Sequence, residues 1–424
     1  MTAHAADALS AHTPTHAVDV PRRARPFAKT QAPTSALIRL IAGRELAPTR
    51  EEYDSAVAAL QDGDPAMDAL VDWMYDYGPR EARALFEQAL AHGVEQVADC
   101  PAPLQAFFRG VEAEPAWLDR ALLEDGARFI QGTGLTAAFV LRDLALMGGY
   151  LLSGFNQSLV LTGALNRGTA RRVAETGKWW VDCTDVGGLA PGAAGVRTTL
   201  HVRLVHALVR RNLASRAEWD SSEWGMPLCQ IDMAATYLGF SVVMLGGLRK
   251  LGIPVTRRES RGVMHLWRYT CWLMGVQEQW LVDSEREGMV LLHHTFMTQS
   301  RPDWTSRELA QALAQEPLER SYAGGPRWQS LRRKLDYHRH LSVSQYFLGT
   351  EKMAQLGFQR ISSWYPLLTL PLRAVGYSLQ RFVPGLRGRQ QRRGRRAQLA
   401  ALAAMFGDQA QGVIQPGEDH PAHL

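Results

Sequence analysis

The sequence predicts an all-α protein, and three observations lead to this conclusion. Helix-start signals precede apolar residues at helical spacing, and neither a strand–helix alternation nor a series of hairpins is present. The 424 residues are 46% apolar and 21% charged, which is an ordinary globular composition. A disordered, collagen-like or coiled-coil protein is therefore excluded.

The helix-start signals lie in both halves of the chain. A capping box starts at Thr49 and another at Thr305, each with a glutamate three residues later. Asp64 and Pro65 join an N-cap residue to a proline at the first helical position. Apolar residues follow each signal at intervals of three and four, as on one face of a helix. For residues 289–292 a short strand remains an alternative to a helix.

Composition divides the chain into three parts. Residues 1–35 are rich in Ala, Thr, His and Pro without apolar periodicity, which predicts a disordered leader. Residues 36–385 are predicted to form one helical domain. Residues 386–424 are predicted to form an arginine-rich tail with a short helix near 397–406.

A glycine-rich stretch interrupts the middle of the predicted domain. Residues 187–195 include four glycines and a proline. Such a composition predicts a flexible loop. The loop is expected to separate two helices, at about 166–182 and about 197–213.

Signals for targeting or membrane insertion are weak. Arg22 and Arg23 form a twin-arginine pair, but residues 26–29 (Pro-Phe-Ala-Lys) follow where an apolar h-region is needed. No run of about 18 apolar residues lacks charges, and the nearest candidate, 135–152, contains an arginine and an aspartate. We therefore expect no signal peptide, no clear transmembrane helix and a cytoplasmic location.

Charge and cysteine content argue against three further classes of protein. The net charge of +5 depends on six arginines between Arg387 and Arg396, without which 41 basic and 42 acidic residues remain. No nucleic-acid partner is therefore expected. The four cysteines form no CxxC motif, which argues against a zinc ribbon or a disulfide scaffold.

One histidine lies in a pattern suited to haem. His206 is flanked by Arg203 and Arg210 on a helix with valines at 202, 205 and 209. A neutral imidazole in an apolar wall is what an axial haem ligand requires, and the arginines could pair with haem propionates. The alternative is an ordinary core or surface histidine on an amphipathic helix.

The preceding helix carries a second polar group of residues. Arg172, Glu175 and Thr176 are spaced to share one helix face. A cation, a carboxyl and a hydroxyl beside apolar residues could line a distal pocket. The alternative is a solvated face with an Arg–Glu pair three residues apart.

Further motifs extend this pattern into a family resemblance. Residues 224–236 read WGMPLCQIDMAAT, and shorter motifs follow at 240–241, 248–252, 265–269 and 273–276. Together with the segments around His206 and Arg172, these motifs resemble the mpaB-like oxygenase family, which includes the latex-clearing (rubber) oxygenases. The resemblance covers 150–280 well and 45–405 more loosely.

The resemblance implies a fold, a cofactor and roles for individual residues. It implies an all-α protein with a globin-like core, additional N- and C-terminal helices, and one non-covalent haem b. His206 corresponds to the proximal iron ligand, and Arg203 and Arg210 to the flanking, cofactor-binding arginines. Arg172 and Thr176 correspond to the distal arginine and threonine of the catalytic side.

Two positions depart from the latex-clearing members of the family. Those members carry a lysine immediately before the matching threonine, where this chain has Glu175, which we include among the candidate catalytic residues. Ungapped counting places Asn156 where those members have a catalytic glutamate. Both departures argue against rubber as the substrate more than against haem.

The sequence thus predicts a haem b-dependent oxygenase that acts with O₂ on a hydrophobic small molecule or polymer of isoprenoid type. One alternative is a haem protein with peroxidase- or oxidase-like activity. Another is a haem-free, membrane-associated scaffold of the same fold.

The apolar stretch 364–372 lies ahead of the arginine cluster and leaves peripheral membrane contact open. The sequence favours the alternative interpretation, in which this apolar stretch packs against the protein and a solvated basic tail follows it.

Overall fold

The computed structural model describes residues 20–163, 168–383 and 385–412. Within these residues the regular structure is entirely helical, which confirms the all-α prediction. Residues 289–292, left open as a strand, lie inside a helix that spans Glu285–Met297. Its capping box at Ser284 and its apolar inner face account for the helical choice.

The helices are numbered in chain order, and short turns of 3₁₀ helix join several of them. The first half of the chain forms α1 (Ala36–Ala42), α2 (Arg50–Ala58), α3 (Pro65–Tyr77), α4 (Pro79–His92), α5 (Ala102–Glu112), α6 (Arg120–Gly132), α7 (Leu135–Val140), α8 (Met147–Gly149), α9 (Ser153–Leu161), α10 (Thr169–Cys183) and α11 (Ala194–Ala214). The second half forms α12 (Ser221–Trp224), α13 (Gln230–Leu238), α14 (Met244–Lys250), α15 (Arg257–Leu273), α16 (Glu285–Met297), α17 (Trp304–Gln315), α18 (Pro326–Gln355), α19 (Trp364–Phe382) and α20 (Leu386–Phe406).

Most of the predicted helix starts are found where the sequence placed them. Thr49 caps α2 in a capping box, and Asp64 caps α3 with Pro65 at its first turn. The capping box predicted at Thr305 is wrong, because α17 begins two residues earlier, at Trp304, with Asp303 as its N-cap. An aspartate side chain accepts hydrogen bonds from the first-turn amides as well as threonine does, so Asp303 takes the cap.

Residues 20–35, which the sequence assigned to a disordered leader, pack against the protein, whereas residues 1–19 lie outside the described residues. Arg23 is 4% exposed and donates to Asp232 over 2.8 Å. The hydroxyl of Tyr53 donates to the carbonyl of Arg25. Composition could not reveal this ordering, because a buried ion pair between residues 23 and 232 leaves no local sequence pattern.

The helix of the arginine-rich segment is longer than the sequence predicted. Residues 386–406 form one long helix, α20, rather than a short helix after a solvated segment. Gly394 lies so close to the carbonyl of Gln131 on α6 that a side chain there would overlap it. Leu402 and Phe406 join the hydrophobic core. The helical domain therefore extends beyond its predicted end at 385.

Buried side chains form three clusters around the centre of the protein. The largest joins α6, α13, α14 and α15. A second joins α3, α4 and α5 to one face of α11, and a third joins residues of α17 and α18 to Tyr150. Helix α11 thus lies between the N-terminal cluster and the central one, and this position sets the geometry of the site described below.

Two π-helical segments interrupt the central helices. One, Leu141–Leu146, joins α7 to α8, and the other, Gly239–Val243, joins α13 to α14. Through the second segment the chain is helical over Gln230–Lys250, which is long and apolar enough to cross a membrane, with mean hydropathy 1.5. The bent pair Leu135–Gly149 and Ser153–Leu161 meets that criterion only when counted together. A buried core helix meets it equally, and 61% of the apolar window of Gln230–Lys250 is buried inside the protein.

Charged residues of the first π segment are buried in a network with α18 and the turn before it. Arg142 donates to Asp143 over 2.7 Å and to Glu316 over 3.0 Å. Arg320 donates to both carboxylate oxygens of Glu316, and Nδ1 of His340 lies 2.7 Å from Asp143. Each buried charge therefore has an opposite charge in contact, as burial requires.

We expect Asp143→Asn to remove a pH dependence of stability. Burial raises the pKa of Asp143 to about 7, against the opposing guanidinium of Arg142. In the unfolded chain this pKa is about 3.9. The folded protein therefore binds the extra proton between these values, and stability falls as pH rises through that window.

The measurement is urea unfolding of both proteins from about pH 4 to about pH 8, the window that the raised pKa defines. The difference in unfolding free energy between wild type and variant should decline with rising pH and level off above about pH 7. A difference that is constant across the window would show that Asp143 stays ionised in the folded protein.

Candidate haem site

Helices α10 and α11 form an antiparallel hairpin whose two helices are in contact at one end. The Sγ atom of Cys183 lies 3.8 Å from the carbonyl of Gly195, and Trp179 Nε1 donates to Thr199 Oγ1 over 3.0 Å. A Cβ on Gly195 would lie 2.9 Å from the Cα of Cys183. The glycine-rich loop therefore serves a close approach of two backbones, whereas the sequence had suggested flexibility.

Two helical turns away from these contacts, Arg172 and His206 lie opposite each other. Arg172 precedes Trp179 by seven residues and His206 follows Thr199 by seven, so each continues the facing surface of its helix. The charge of Arg172 acts on the pKa of His206, as their proximity requires. The sequence-predicted distal and proximal residues are thus brought together on facing helices.

Side chains on the facing surfaces are more exposed at this level than at the closed end. Thr199 is fully buried at the closed end, whereas Thr176 is exposed and Arg172, Val202 and His206 are half-buried. Helix spacing places these side chains toward the partner helix, and yet they remain accessible. We infer from this exposure that the two helices border a gap lined by both of them.

Residues on either side of α13 lie near this hairpin. Phe240, just after α13, packs edge-on against Trp179 with ring centroids 5.2 Å apart. Met226, ahead of α13, and Arg210 of α11 both approach Gly63, where a Cβ would lie 2.9 Å from Met226 Sδ and from Arg210 Nε. Between these two contacts, on α13, Met233 is half-buried and Thr236 is exposed. We infer that α13 borders the gap and contributes methionine and threonine to its lining.

His206 has the properties of an available ligand. Its Nδ1 is enclosed without a hydrogen-bond partner, and neither ring nitrogen bonds to a residue in the described parts of the chain. Burial, together with Arg210 and Arg172, lowers the pKa of His206 to about 4. The imidazole is therefore neutral near pH 7, which is the form that binds a metal.

The two arginines that flank His206 have different surroundings. Arg203 is committed to Asp64, with Nε 2.6 Å from Oδ2 and Nη2 2.8 Å from Oδ1, and also donates to the carbonyl of Leu273. Its predicted role as a propionate partner is not supported by this geometry, because a bidentate carboxylate already occupies its donors.

Arg210 keeps free donors. Its Nε and Nη1 are buried without a hydrogen bond, and its nearest carboxylate, Asp68, lies 3.4 Å from Nε. Burial lowers the pKa of Arg210, although Asp68 acts in the opposite direction. A buried guanidinium with unused N–H groups four residues from His206 fits a carboxylate of a bound cofactor.

Across the gap, Arg172 also lacks a partner. It forms neither a hydrogen bond nor an ion pair with any residue that the structure describes. Burial lowers the pKa of Arg172, while Tyr150 and Glu175 act in the opposite direction. The hydroxyl of Tyr150 likewise bonds to no described residue, and burial raises its pKa to about 12. Tyr150 is thus a neutral polar group near Arg172.

Glu175 does not join Arg172 and Thr176 as the sequence predicted. Its carboxylate accepts from Arg171 Nε over 2.6 Å and is buried, and burial raises its pKa. Arg171 also donates to Gln409 after α20. The four-residue spacing from Arg171 to Glu175 was visible in the sequence, but the three-residue spacing from Arg172 was considered instead.

Asn156 lies apart from the gap. It is fully buried on α9, where its amide donates to the carbonyl of Tyr150 over 2.9 Å and to Ser306 over 3.3 Å. These bonds hold α9 against α17. The structure therefore gives Asn156 a packing role at the position that ungapped counting paired with a catalytic glutamate.

Sequence reasoning missed several residues that complete the site. Asp64 was recognised only as an N-cap, yet it also binds Arg203. Tyr150 carries no local motif, and Met233 and Thr236 belong to the motif at 224–236 but were given no role, because a place near the site depends on how separate helices pack. Among the described residues no group of three or more His, Cys, Asp or Glu could hold a bare metal ion. A lone histidine suits a metal whose other ligands come from a prosthetic group.

The fold and site define a helical protein in which a histidine of α11 and an arginine of α10 lie on the facing surfaces of a helical hairpin. The fold is shared with a solved structure of latex clearing protein LCP in the closed state, at a TM-score of 0.61 and 19% identity. The match covers 80% of this chain and 91% of that one.

Residues 134–409 match the family described as ER-bound oxygenase mpaB/B′/Rubber oxygenase, catalytic domain. The chain belongs to this family, as the motifs around His206 and Trp224 indicated.

A relative of known activity lies in the same family. Over 239 residues the chain is 25% identical to the Rubber oxygenase of Streptomyces sp. (strain K30). The matched region is 54% of this chain and 54% of that protein, so the chain spans about half the length of the relative.

Proposed function

We propose that this oxygenase-family protein binds one haem b and uses O₂ to oxidise a hydrophobic, isoprenoid-type substrate. One observation carries the proposal: a neutral His206 with a buried, unsatisfied Nδ1 lies opposite Arg172 across a gap between α10 and α11, and neither side chain forms a hydrogen bond with a described residue. Unsatisfied buried polar groups are rare in folded proteins and need an explanation, which a bound cofactor supplies.

The residues present fit a haem. His206 would hold the iron through a ring nitrogen, and Arg210 would pair with a haem carboxylate. When bound, haem b supplies an iron centre that activates O₂ for attack on a carbon–carbon double bond. The rest of the chemistry depends on the side chains around it.

The distal residues have separate tasks. The guanidinium of Arg172, desolvated and without a carboxylate in contact, stabilises negative charge that develops beside it. The hydroxyl of Thr176 donates or accepts a hydrogen bond from the opposite edge of the same helix face. Val202, Met233 and Phe240 exclude water and bind an apolar substrate.

The substrate assignment follows from the walls and from the departures at Glu175 and Asn156. An apolar lining suits an olefinic chain. Since the resemblance pairs Glu175 with a lysine and Asn156 with a catalytic glutamate of the latex-clearing members, we expect little activity on polyisoprene latex. Short isoprenoids and unsaturated lipids should be better substrates, as measured by oxygen uptake.

The purified full-length chain tests the proposal directly. The pyridine haemochromogen assay should give haem b near one equivalent per chain, with a Soret band in the native protein. Protein that takes up no haem during expression or reconstitution would exclude the proposed chemistry. Rapid release of aldehyde- and ketone-ended oligomers from latex would contradict only the substrate assignment.

We expect the ferric protein to be largely high-spin. Glu175 is held by Arg171, and the one lysine of α10, Lys178, is held by Asp182 over 2.6 Å. No amine is therefore available beside Arg172 and Thr176 to ligate iron. Electronic absorption and paramagnetic resonance spectra, without added ligand, report the spin state.

Substitution at Glu175 sharpens this prediction. Glu175→Lys should shift the spectrum toward low-spin and slow the entry of imidazole and cyanide, since a neutral amine is a stronger-field ligand than a carboxylate. Glu175→Gln is the matched control, because it also breaks the pair with Arg171 but offers no amine. A wild-type spectrum that is already low-spin would mean that another side chain caps the iron.

A further inference from the structure

Helix α19 exposes a continuous apolar stripe. Leu368, Leu372, Val375, Leu379 and Phe382 follow one another at intervals of four and three, and all are exposed. Leu372 is 72% and Phe382 82% accessible. The stripe is about 21 Å long at the rise of an α-helix. An exposed apolar surface of this length on a packed helix marks an interaction site.

The outer faces of α19 and α20 point the same way. Tyr377 of α19 donates to the carbonyl of Gly132 over 3.1 Å, and Gln390 of α20 donates to the same carbonyl over 3.0 Å. Gln390 also donates to the hydroxyl of Tyr377. The inner faces of both helices contact the same carbonyl oxygen, that of Gly132 at the end of α6. The outer faces of both helices are therefore turned away from the core.

The outer face of α20 is basic. Between residues 352 and 407 the chain has nine arginines, one lysine and no acid. Arg389, Arg392 and Arg393 are exposed and form no ion pair with the described residues. Arg387, in contrast, reaches Glu259 on α15. Unpaired arginines thus lie in the first two turns of α20, the helix that follows the tip of the apolar stripe in the chain.

We propose that the outer faces of α19 and α20 form a peripheral docking surface for an anionic lipid bilayer. Leu372 and Phe382 enter the acyl-chain boundary, and Arg389 and Arg393 contact the lipid phosphates and carboxylates. This combination of an apolar stripe with flanking arginines is the composition of helices that lie in a membrane interface. Basic residues near such a surface add attraction to anionic lipids.

Charge complementarity favours lipid over a second copy of the chain. Two copies joined through this face would bring the same unpaired arginines together without an acid from either α19 or α20. An anionic bilayer neutralises those charges and buries the stripe at once. The inner face of this segment can pack on the protein while its outer face docks on a bilayer. The two interpretations from the sequence, a packed segment and a membrane contact, therefore apply to different sides of the segment.

Vesicle co-sedimentation of the full-length protein tests the proposal. The probes are phosphatidylcholine vesicles with and without phosphatidylserine, at low and at physiological salt. We expect binding to the phosphatidylserine vesicles that weakens as salt rises, and little binding to phosphatidylcholine alone.

Variants of the two parts of the surface should weaken binding separately. Phe382→Glu removes a large apolar contact and should reduce vesicle affinity by at least about tenfold. Arg389→Gln and Arg393→Gln should each reduce it about fivefold. Haem content and thermal unfolding should stay at wild-type values, because none of these side chains contacts the core.

Helix α1 provides a matched control. Leu37 and Leu40 are 67% and 75% exposed, but Arg39 is paired with Glu45 over 2.7 Å. Leu37→Glu and Leu40→Glu therefore remove exposed apolar groups that lack unpaired basic neighbours. Vesicle binding should be unchanged in both variants.

Several results would overturn the proposal. Equal binding to neutral and anionic vesicles would remove the role of the arginines, and absence of binding to either would remove the surface altogether. Loss of binding in the α1 variants to the same extent would show that α19 is not the docking element. A dimer in sedimentation velocity that Leu372→Glu dissociates would identify a second copy as the occupant.

Discussion

Replacing His206 by alanine should reduce haem content by at least about tenfold while leaving the helical fold intact. The imidazole is neutral and forms no bond to the described residues, so its removal costs the apoprotein little. The loss should appear as a missing Soret band and a low haemochromogen yield. Circular dichroism should remain that of the wild type.

His201 provides the control on the same helix. It is buried, and its Nδ1 lies 3.3 Å from Glu87 on α4, on the side away from the gap. His201→Ala should therefore leave haem bound, although it removes a contact within the N-terminal cluster. Full haem occupancy and an unchanged spectrum in the His206→Ala protein would refute the assignment of the proximal ligand.

The second large effect should come from the buried ion network, at Glu316. This carboxylate is 1% exposed and accepts from Arg142 and Arg320. Glu316→Gln leaves two buried guanidinium groups without their shared anion. Breaking a buried pair in this way typically costs about 3–5 kcal/mol of unfolding free energy. Urea unfolding should show a lower midpoint with an unchanged slope.

Glu308 is the matched control for this substitution. It lies on α17, close in sequence to Glu316, but is exposed. Glu308→Gln should change the unfolding free energy by less than about 0.5 kcal/mol. Equal effects of the two substitutions would mean that water or rearrangement compensates the buried arginines.

The sequence predicted the helices better than their contacts. The helices expected at about 166–182 and about 197–213 are found at Thr169–Cys183 and Ala194–Ala214, because apolar periodicity and the glycine-rich loop are local signals. The ends of the domain were misjudged for the opposite reason. Arg23 and Gln398 are held by residues more than 200 positions away.

The sequence predicted which residues form the site, but only part of their arrangement in space. Facing positions for Arg172, Thr176 and His206 follow from helix spacing once the hairpin is formed. The partners of Arg203 and Glu175 could not be foreseen in the same way. A charged side chain takes whichever opposite charge the tertiary structure brings into contact, and Asp64 lies 139 residues from Arg203 in sequence.

The ion pair between Asp64 and Arg203 limits where the oxygenase domain can be truncated without loss of its fold. The family match begins at residue 134, yet the outer face of α11 packs on α3, α4 and α5, all of which precede it. A fragment starting at 134 would bare that face and leave a buried guanidinium without its anion. The helix that bears His206 is therefore supported by two sections of the chain, and we expect a fragment that begins at residue 134 not to fold on its own.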